Sequence, residues 1–138
     1  MDKKKYIEEA NKMLAKAYIP YSKFPVGAAL VTKEGKIYTG CNIENASYGA
    51  TNCAERTAIF KAISEGHRKI EKIAVVGDMS AYTSPCGICR QVIAEFADKN
   101  IEIILVKNEE EFQVKTLEEI LPGAFTKEDL DNYRRQNV

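Results

Sequence analysis

Ile73-Ala74-Val75-Val76, then Pro85-Cys86-Gly87-Ile88-Cys89-Arg90-Gln91-Val92-Ile93-Ala94-Glu95-Phe96-Ala97, then Ile101-Glu102-Ile103-Ile104-Leu105-Val106 is the stretch on which the fold turns. The first and last runs are short and apolar, as buried strands are. Between them Cys89, Val92, Ile93, Phe96 and Ala97 recur at helical spacing, and Pro85 marks the helix start. Strand, helix and strand at this spacing favour a sheet with parallel pairs, covered by helices. The expected class is therefore α/β.

The flanks extend the pattern. Residues 3–18 place Tyr6, Ile7, Ala10, Met13, Leu14, Ala17 and Tyr18 on one helical face, and Ile19-Pro20-Tyr21-Ser22 stops that helix. Val26 to Val31 and Lys36 to Cys41 read as a hairpin around Glu34-Gly35. Residues 42–52 are polar and irregular. A helix is expected from about Cys53 to Glu65, apolar at Ala54, Ala58, Ile59, Ala62 and Ile63, with Gly66 as its stop. Asp78 to Ser84 reads as loop, Phe112 to Val114 as a weak strand, and two short helices close the chain.

The 138 residues, 45% hydrophobic and 29% charged, fit one domain spanning 1–138. No apolar run is long enough to span a bilayer, and no signal-peptide apolar region follows Lys3-Lys4-Lys5, so the expected location is the cytoplasm. Twenty basic and twenty acidic residues cancel, which disfavours a nucleic-acid partner. Lys3-Lys4-Lys5, Glu109-Glu110-Glu111 and Arg134-Arg135 read as solvated charge, and His67 as part of an exposed turn.

Cysteines carry the chemistry. In a cytoplasmic chain, four are better candidates for metal binding or catalysis than for disulfides, and the single histidine leaves sulfur as the main ligand. Cys86-x-x-Cys89 at a helix start is a good pair for tetrahedral zinc, and Cys53 supplies a third thiolate. Three ligands leave the fourth position open. Glu55, two residues from Cys53, then has a place for moving protons on a water held there. Two other readings compete: a redox pair, which leaves Cys53 and Glu55 without a role, and a closed four-cysteine site using Cys41. Glu55 itself also reads as an ordinary surface residue of a helix.

Both cysteine motifs lie where loop becomes helix. Helix N-termini favour thiolate over thiol. Three thiolates and Zn²⁺ sum to a net charge of minus one, which weakens the Lewis acid. Arg56 and Arg90, each beside a motif residue, are candidates to donate hydrogen bonds to sulfur, or else solvent-facing charges.

Cys53-Ala54-Glu55 followed by Pro85-Cys86-Gly87-Ile88-Cys89 is a thiol-ligand version of the zinc nucleobase deaminase signature. Tyr21-Ser22-Lys23-Phe24, Val26 to Leu30, Gly40 to Ala46, Cys53 to Ala58, Ser84 to Gln91 and Leu121 to Phe125 further resemble the small homotetrameric cytidine deaminases. The resemblance runs over nearly the whole chain. It implies a three-layer fold with a mixed five-stranded sheet covered by helices, one zinc ion per subunit, and sites at the subunit interfaces of a homotetramer. Asn42 and Glu44 are expected to bind sugar hydroxyls, and Phe24 to pack on the base. The backbone of Ala54 and the carboxylate of Glu55 are expected at the base edge. Phe125 is expected to reach a neighbouring subunit's pocket; from the residues alone, Leu121 to Phe125 also reads as a loop over its own core. Arg56 is similar to the arginine that neutralises a zinc thiolate.

The implied reaction is hydrolytic deamination of cytidine and 2′-deoxycytidine, with a nucleoside as the small-molecule partner and neither membrane nor nucleic acid involved. A deaminase of another cytosine-bearing compound, such as a nucleoside antibiotic, is the nearest alternative. A non-catalytic zinc module and an RNA- or DNA-editing protein stand further off.

Overall fold

Period-two alternation sorts the strand side chains onto two faces, and each face has its own helices. In the computed structural model, which describes residues 2–78 and 80–136, the strands are β1 (Gly27–Thr32), β2 (Ile37–Cys41), β3 (Ile70–Val76), β4 (Ala97–Val106) and β5 (Phe112–Lys115). They form one sheet in the order β2-β1-β3-β4-β5. Among the described strands only β3 and β4 run parallel; the other neighbours are antiparallel, so the sheet is mixed and five-stranded, as the resemblance implies. The helices are α1 (Lys3–Lys12), α2 (Ala54–Ser64), α3 (Gly87–Phe96), α4 (Leu117–Ile120) and α5 (Lys127–Gln136).

Ala29, Val31, Ala74, Val76, Ile104 and Val106 pack with Tyr6, Ile7 and Ala10 of α1. Ala28, Leu30, Ile73, Ile103 and Leu105 pack on the other side with Ala58, Ile59 and Ala62 of α2, Ile93 of α3, and Leu117 and Ile120 of α4. The result is the expected three layers. The α3 helix makes the crossover between the parallel strands β3 and β4.

Three local expectations change. The first helix becomes α1 plus a 3-10 turn at Met13–Lys16, and Tyr18 is 57% exposed instead of facing the core. A backbone bridge from Tyr18 to Ile43 pulls the chain out of helical geometry there. The fourth strand begins at Ala97, and a register shift between Ile70 and Lys72 takes up the residues before Glu102. His67 is half-buried rather than exposed: its Nδ1 lies 2.7 Å from Glu34 Oε1 and its ring stands beside Tyr38. Met79, within the expected loop 78–84, lies outside the described residues.

Candidate active site

Cys53 and Cys86 are the N-cap residues of α2 and α3, both in extended backbone and neither making a side-chain cap hydrogen bond. Their sulfurs stay free for other partners, at helix ends whose dipoles favour negative charge. The turn before α2 is fixed by a relay: Asn52 Nδ2 donates to Thr57 Oγ1 at 3.0 Å, which donates to the Cys53 carbonyl at 3.1 Å. Main-chain bonds in both directions between Ile43 and Asn52 brace the preceding loop.

The height of α2 above the sheet is set by Gly40 on β2. A Cβ there would stand 2.4 Å from the Ala54 carbonyl oxygen and 2.6 Å from the Thr57–Ala58 peptide nitrogen. Backbone thus meets backbone at the first turn of α2, which only glycine permits.

Cys53, Cys86 and Cys89 bring their sulfurs within 4.8 Å of one another. The Cys53 and Cys86 sulfurs are 3.6 Å apart. A tetrahedral zinc with Zn–S bonds of ~2.3 Å requires a sulfur–sulfur edge of about 3.8 Å, so the donor set and its spacing fit that ion. The redox reading does not account for the third sulfur. Cys41 is buried elsewhere, its thiol donating to the Lys16 carbonyl, so a closed four-cysteine site is not formed.

Ionisation concentrates on Cys53. A hydrogen bond from the Cys89 thiol, with help from Arg56, lowers the Cys53 thiol to about 5. The same shared proton, together with burial, pushes Cys89 upward. Arg56 Nη2 donates to Cys53 Sγ at 3.4 Å, as expected. Arg90 does not approach sulfur. It donates to the carbonyls of Pro85 (2.8 Å) and Ile120 (2.6 Å) and to Ser84 Oγ (2.8 Å), because carbonyls of the preceding loop and of α4 surround its planar fork.

Glu55 is 3% exposed, not a surface residue. Burial raises its carboxyl to about 7, and the nearby Cys53 sulfur adds to the effect. A carboxyl that titrates near neutrality is suited to passing protons in both directions. Ala54, beside it, is fully buried.

Asn42 and Glu44 are more than solvated loop residues. Asn42 Oδ1 accepts from Val26 N–H at 2.9 Å and its Nδ2 donates to the Phe24 carbonyl at 2.9 Å. Glu44 Oε1 accepts from the N–H groups of Tyr21 (3.1 Å) and Ser22 (3.0 Å), and Oε2 accepts from the Ser22 hydroxyl. Phe24 is 44% exposed, with its ring edge against Gly77. Phe125 is 64% exposed, its carbonyl held at 2.8 Å by Gln91 Nε2 from α3. Sequence reasoning gave no role to Gly40, Ser22 or Gln91. A glycine in an otherwise side-chain-bearing strand is the signal that could have marked the first.

A family model described as "Cytidine and deoxycytidylate deaminase zinc-binding region" matches residues 1–105. The chain belongs to this family. It is 54% identical over 130 residues to a cytidine deaminase of Sporosarcina psychrophila, covering 94% of this chain and 96% of that protein. A cytidine deaminase of Halalkalibacterium halodurans is 52% identical over 132 residues, covering 96% and 100%. The crystal structure of a Burkholderia pseudomallei cytidine deaminase superposes with a TM-score of 0.86 at 47% identity, over 91% of this chain and all of that one. The family is a zinc-binding one, and the Cys53, Cys86 and Cys89 cluster is able to hold such an ion.

Proposed function

We propose that the chain, as a single domain, hydrolytically deaminates cytidine and 2′-deoxycytidine to uridine and 2′-deoxyuridine with release of ammonia. The observation that carries this reading is the buried Glu55 beside three converging cysteine sulfurs at two helix ends. Cys53, Cys86 and Cys89 would hold zinc, which when bound supplies Lewis-acid activation of water at neutral pH. Glu55 takes a proton from the attacking water and places it on N3 of the ring. It then takes the remaining proton of that water from the oxygen now bonded to C4 and passes it to the 4-amino group, so that the C4–N bond breaks, ammonia leaves and the C4 carbonyl forms. The backbone of Ala54 and the Glu55 carboxylate hold the base edge, and the Phe24 ring offers a packing face.

Hydrogen-bond counting supports a sugar hydroxyl at Asn42 and Glu44. An amide has two N–H groups and two oxygen lone pairs; the loop takes one of each from Asn42 and leaves one of each. A carboxylate has about four acceptor positions, of which the loop takes three from Glu44, leaving one on Oε2. A hydroxyl that accepts from Asn42 and donates to Glu44 uses what remains. Phe125 completes a neighbouring subunit's pocket in a homotetramer. The reaction serves pyrimidine salvage in the cytoplasm; among the described residues no helix is long and apolar enough to cross a membrane.

Glu55→Gln tests the reading. Zinc content should stay at the wild-type level while turnover of cytidine falls about 10²–10⁴-fold, the range for a positioned proton carrier. Turnover within a few-fold of wild type would refute the role of Glu55. Assaying cytidine beside CMP separates a nucleoside enzyme from one for nucleotides.

A further inference from the structure

Ser22 lies outside the assigned machinery, yet its hydroxyl joins two parts of it. The hydroxyl donates to Glu44 Oε2, the oxygen with the remaining acceptor position, and accepts from the Phe24 N–H at 3.0 Å. Lys23 between them sits at φ 62°, so the Ser22-Lys23-Phe24 turn is closed tightly by that hydroxyl. Glu44 Oε1 is saturated by two main-chain N–H groups. Oε2 has only Ser22. Ser22 and Glu44 also line an open depression of ≈ 390 Å³ with Tyr21, Tyr48 and Thr51, so this oxygen is not walled in by core.

We propose that Ser22 is a positioning residue that fixes the orientation of Glu44 Oε2 and thereby sets affinity for a sugar hydroxyl, assigned as the 3′-hydroxyl because cytidine and 2′-deoxycytidine both carry it. This rests on the reading of Glu44 as an acceptor for the sugar. A donor on one lone pair of Oε2 directs the other outward and prevents the carboxylate from twisting about its pair of N–H bonds. The Phe24 N–H holds the hydroxyl in the orientation that donates. No proton leaves Ser22 and no bond is made or broken there. Its effect falls on binding, which is expressed in KM, and not on the steps that Glu55 performs.

The test is steady-state kinetics of the zinc-loaded enzyme on cytidine and on 3′-deoxycytidine. Ser22→Ala should raise KM for cytidine about tenfold, as loss of one charge-assisted hydrogen bond does, with kcat nearly unchanged. Ser22→Thr keeps the hydroxyl and should restore KM. On 3′-deoxycytidine, Ser22→Ala should match wild type, because the contact it serves is absent. Equal losses on both substrates would show that Ser22 merely supports the loop and would overturn the proposal, as would an unchanged KM for cytidine. Ser22→Gly repeats the measurement if the alanine variant does not fold. Glu44→Gln separates the two levels. If it leaves cytidine KM unchanged, the sugar role of Glu44 fails and the Ser22 proposal with it; if it raises KM while Ser22→Ala does not, only the proposal about Ser22 fails.

Discussion

The two helix starts at Cys53 and Cys86 are built from the same parts and used differently. Each has an extended cysteine as N-cap, no side-chain cap, and an arginine within the first turn or just after it. At α2 the first turn is buried against Gly40, Glu55 is enclosed, and Arg56 turns back to the Cys53 sulfur. At α3 the first turn is open: Cys86, Gly87 and Ile88 are exposed, and Arg90 turns away to bind main-chain carbonyls. One end holds the reactive carboxylate and tunes sulfur. The other holds two sulfurs and fastens the loop that carries them. A short motif sets where a helix begins, but the surroundings decide what its charges touch.

Breaking either end at its cysteine should have the largest effect. Cys53→Ala and Cys86→Ala should each lose most of the zinc and nearly all activity, since two thiolates make a far weaker site than three. Metal analysis with a cytidine assay checks this. Retention of zinc by one variant alone would show that the two ends do not contribute equally.

Next in size is Arg90→Gln. It leaves the Pro85 and Ile120 carbonyls without their donor, at a cost of about 2–4 kcal/mol in total. Thermal unfolding should shift down by roughly 5–15 °C. Turnover per bound zinc should change little, because this arginine touches no sulfur.

Arg56→Gln should give the opposite pattern. Loss of its hydrogen bond to Cys53 should lower kcat/KM roughly tenfold while unfolding temperature moves by only a few degrees. If the two arginine variants show the same ratio of activity loss to stability loss, the contrast between the helix ends is wrong. The smallest effect is expected for Ser84→Ala, which removes one of the three Arg90 contacts and should cost about 1 kcal/mol by thermal or urea unfolding.

What the sequence disclosed was local. Apolar spacing located α2 and α3 within a few residues, because each buries one stripe against the sheet. It placed three cysteines and Glu55 at helix starts, where the structure has them. The direction of Arg90 was not legible, since it depends on a carbonyl thirty residues further along the chain. Likewise residues 42–52 read only as polar and irregular, and nothing local told what Asn42 and Glu44 hold in place. Their partners lie 16 to 23 residues away and meet them only once β1 and β2 pair. Strand order was hidden for the same reason: alternation shows which face a residue takes, not which strand lies next to it. The Tyr18 error had a subtler cause. Helical periodicity continued past the point where main-chain bonding to Asn42 and Glu44 claimed the chain.

Gly40 separates precision from packing. A helix seated on side chains settles as those side chains settle, and each core substitution moves it a little. Here the first turn of α2 also meets the main chain of Gly40 directly, a contact made by the Ala54 carbonyl and the Ala58 nitrogen and not by the ends of core side chains. Variation deeper in that helix therefore changes how firmly the fold holds before it changes where Cys53 and Glu55 stand. The chain has room to drift in its interior while its reactive groups keep their register, and a methyl group at residue 40 would remove that freedom.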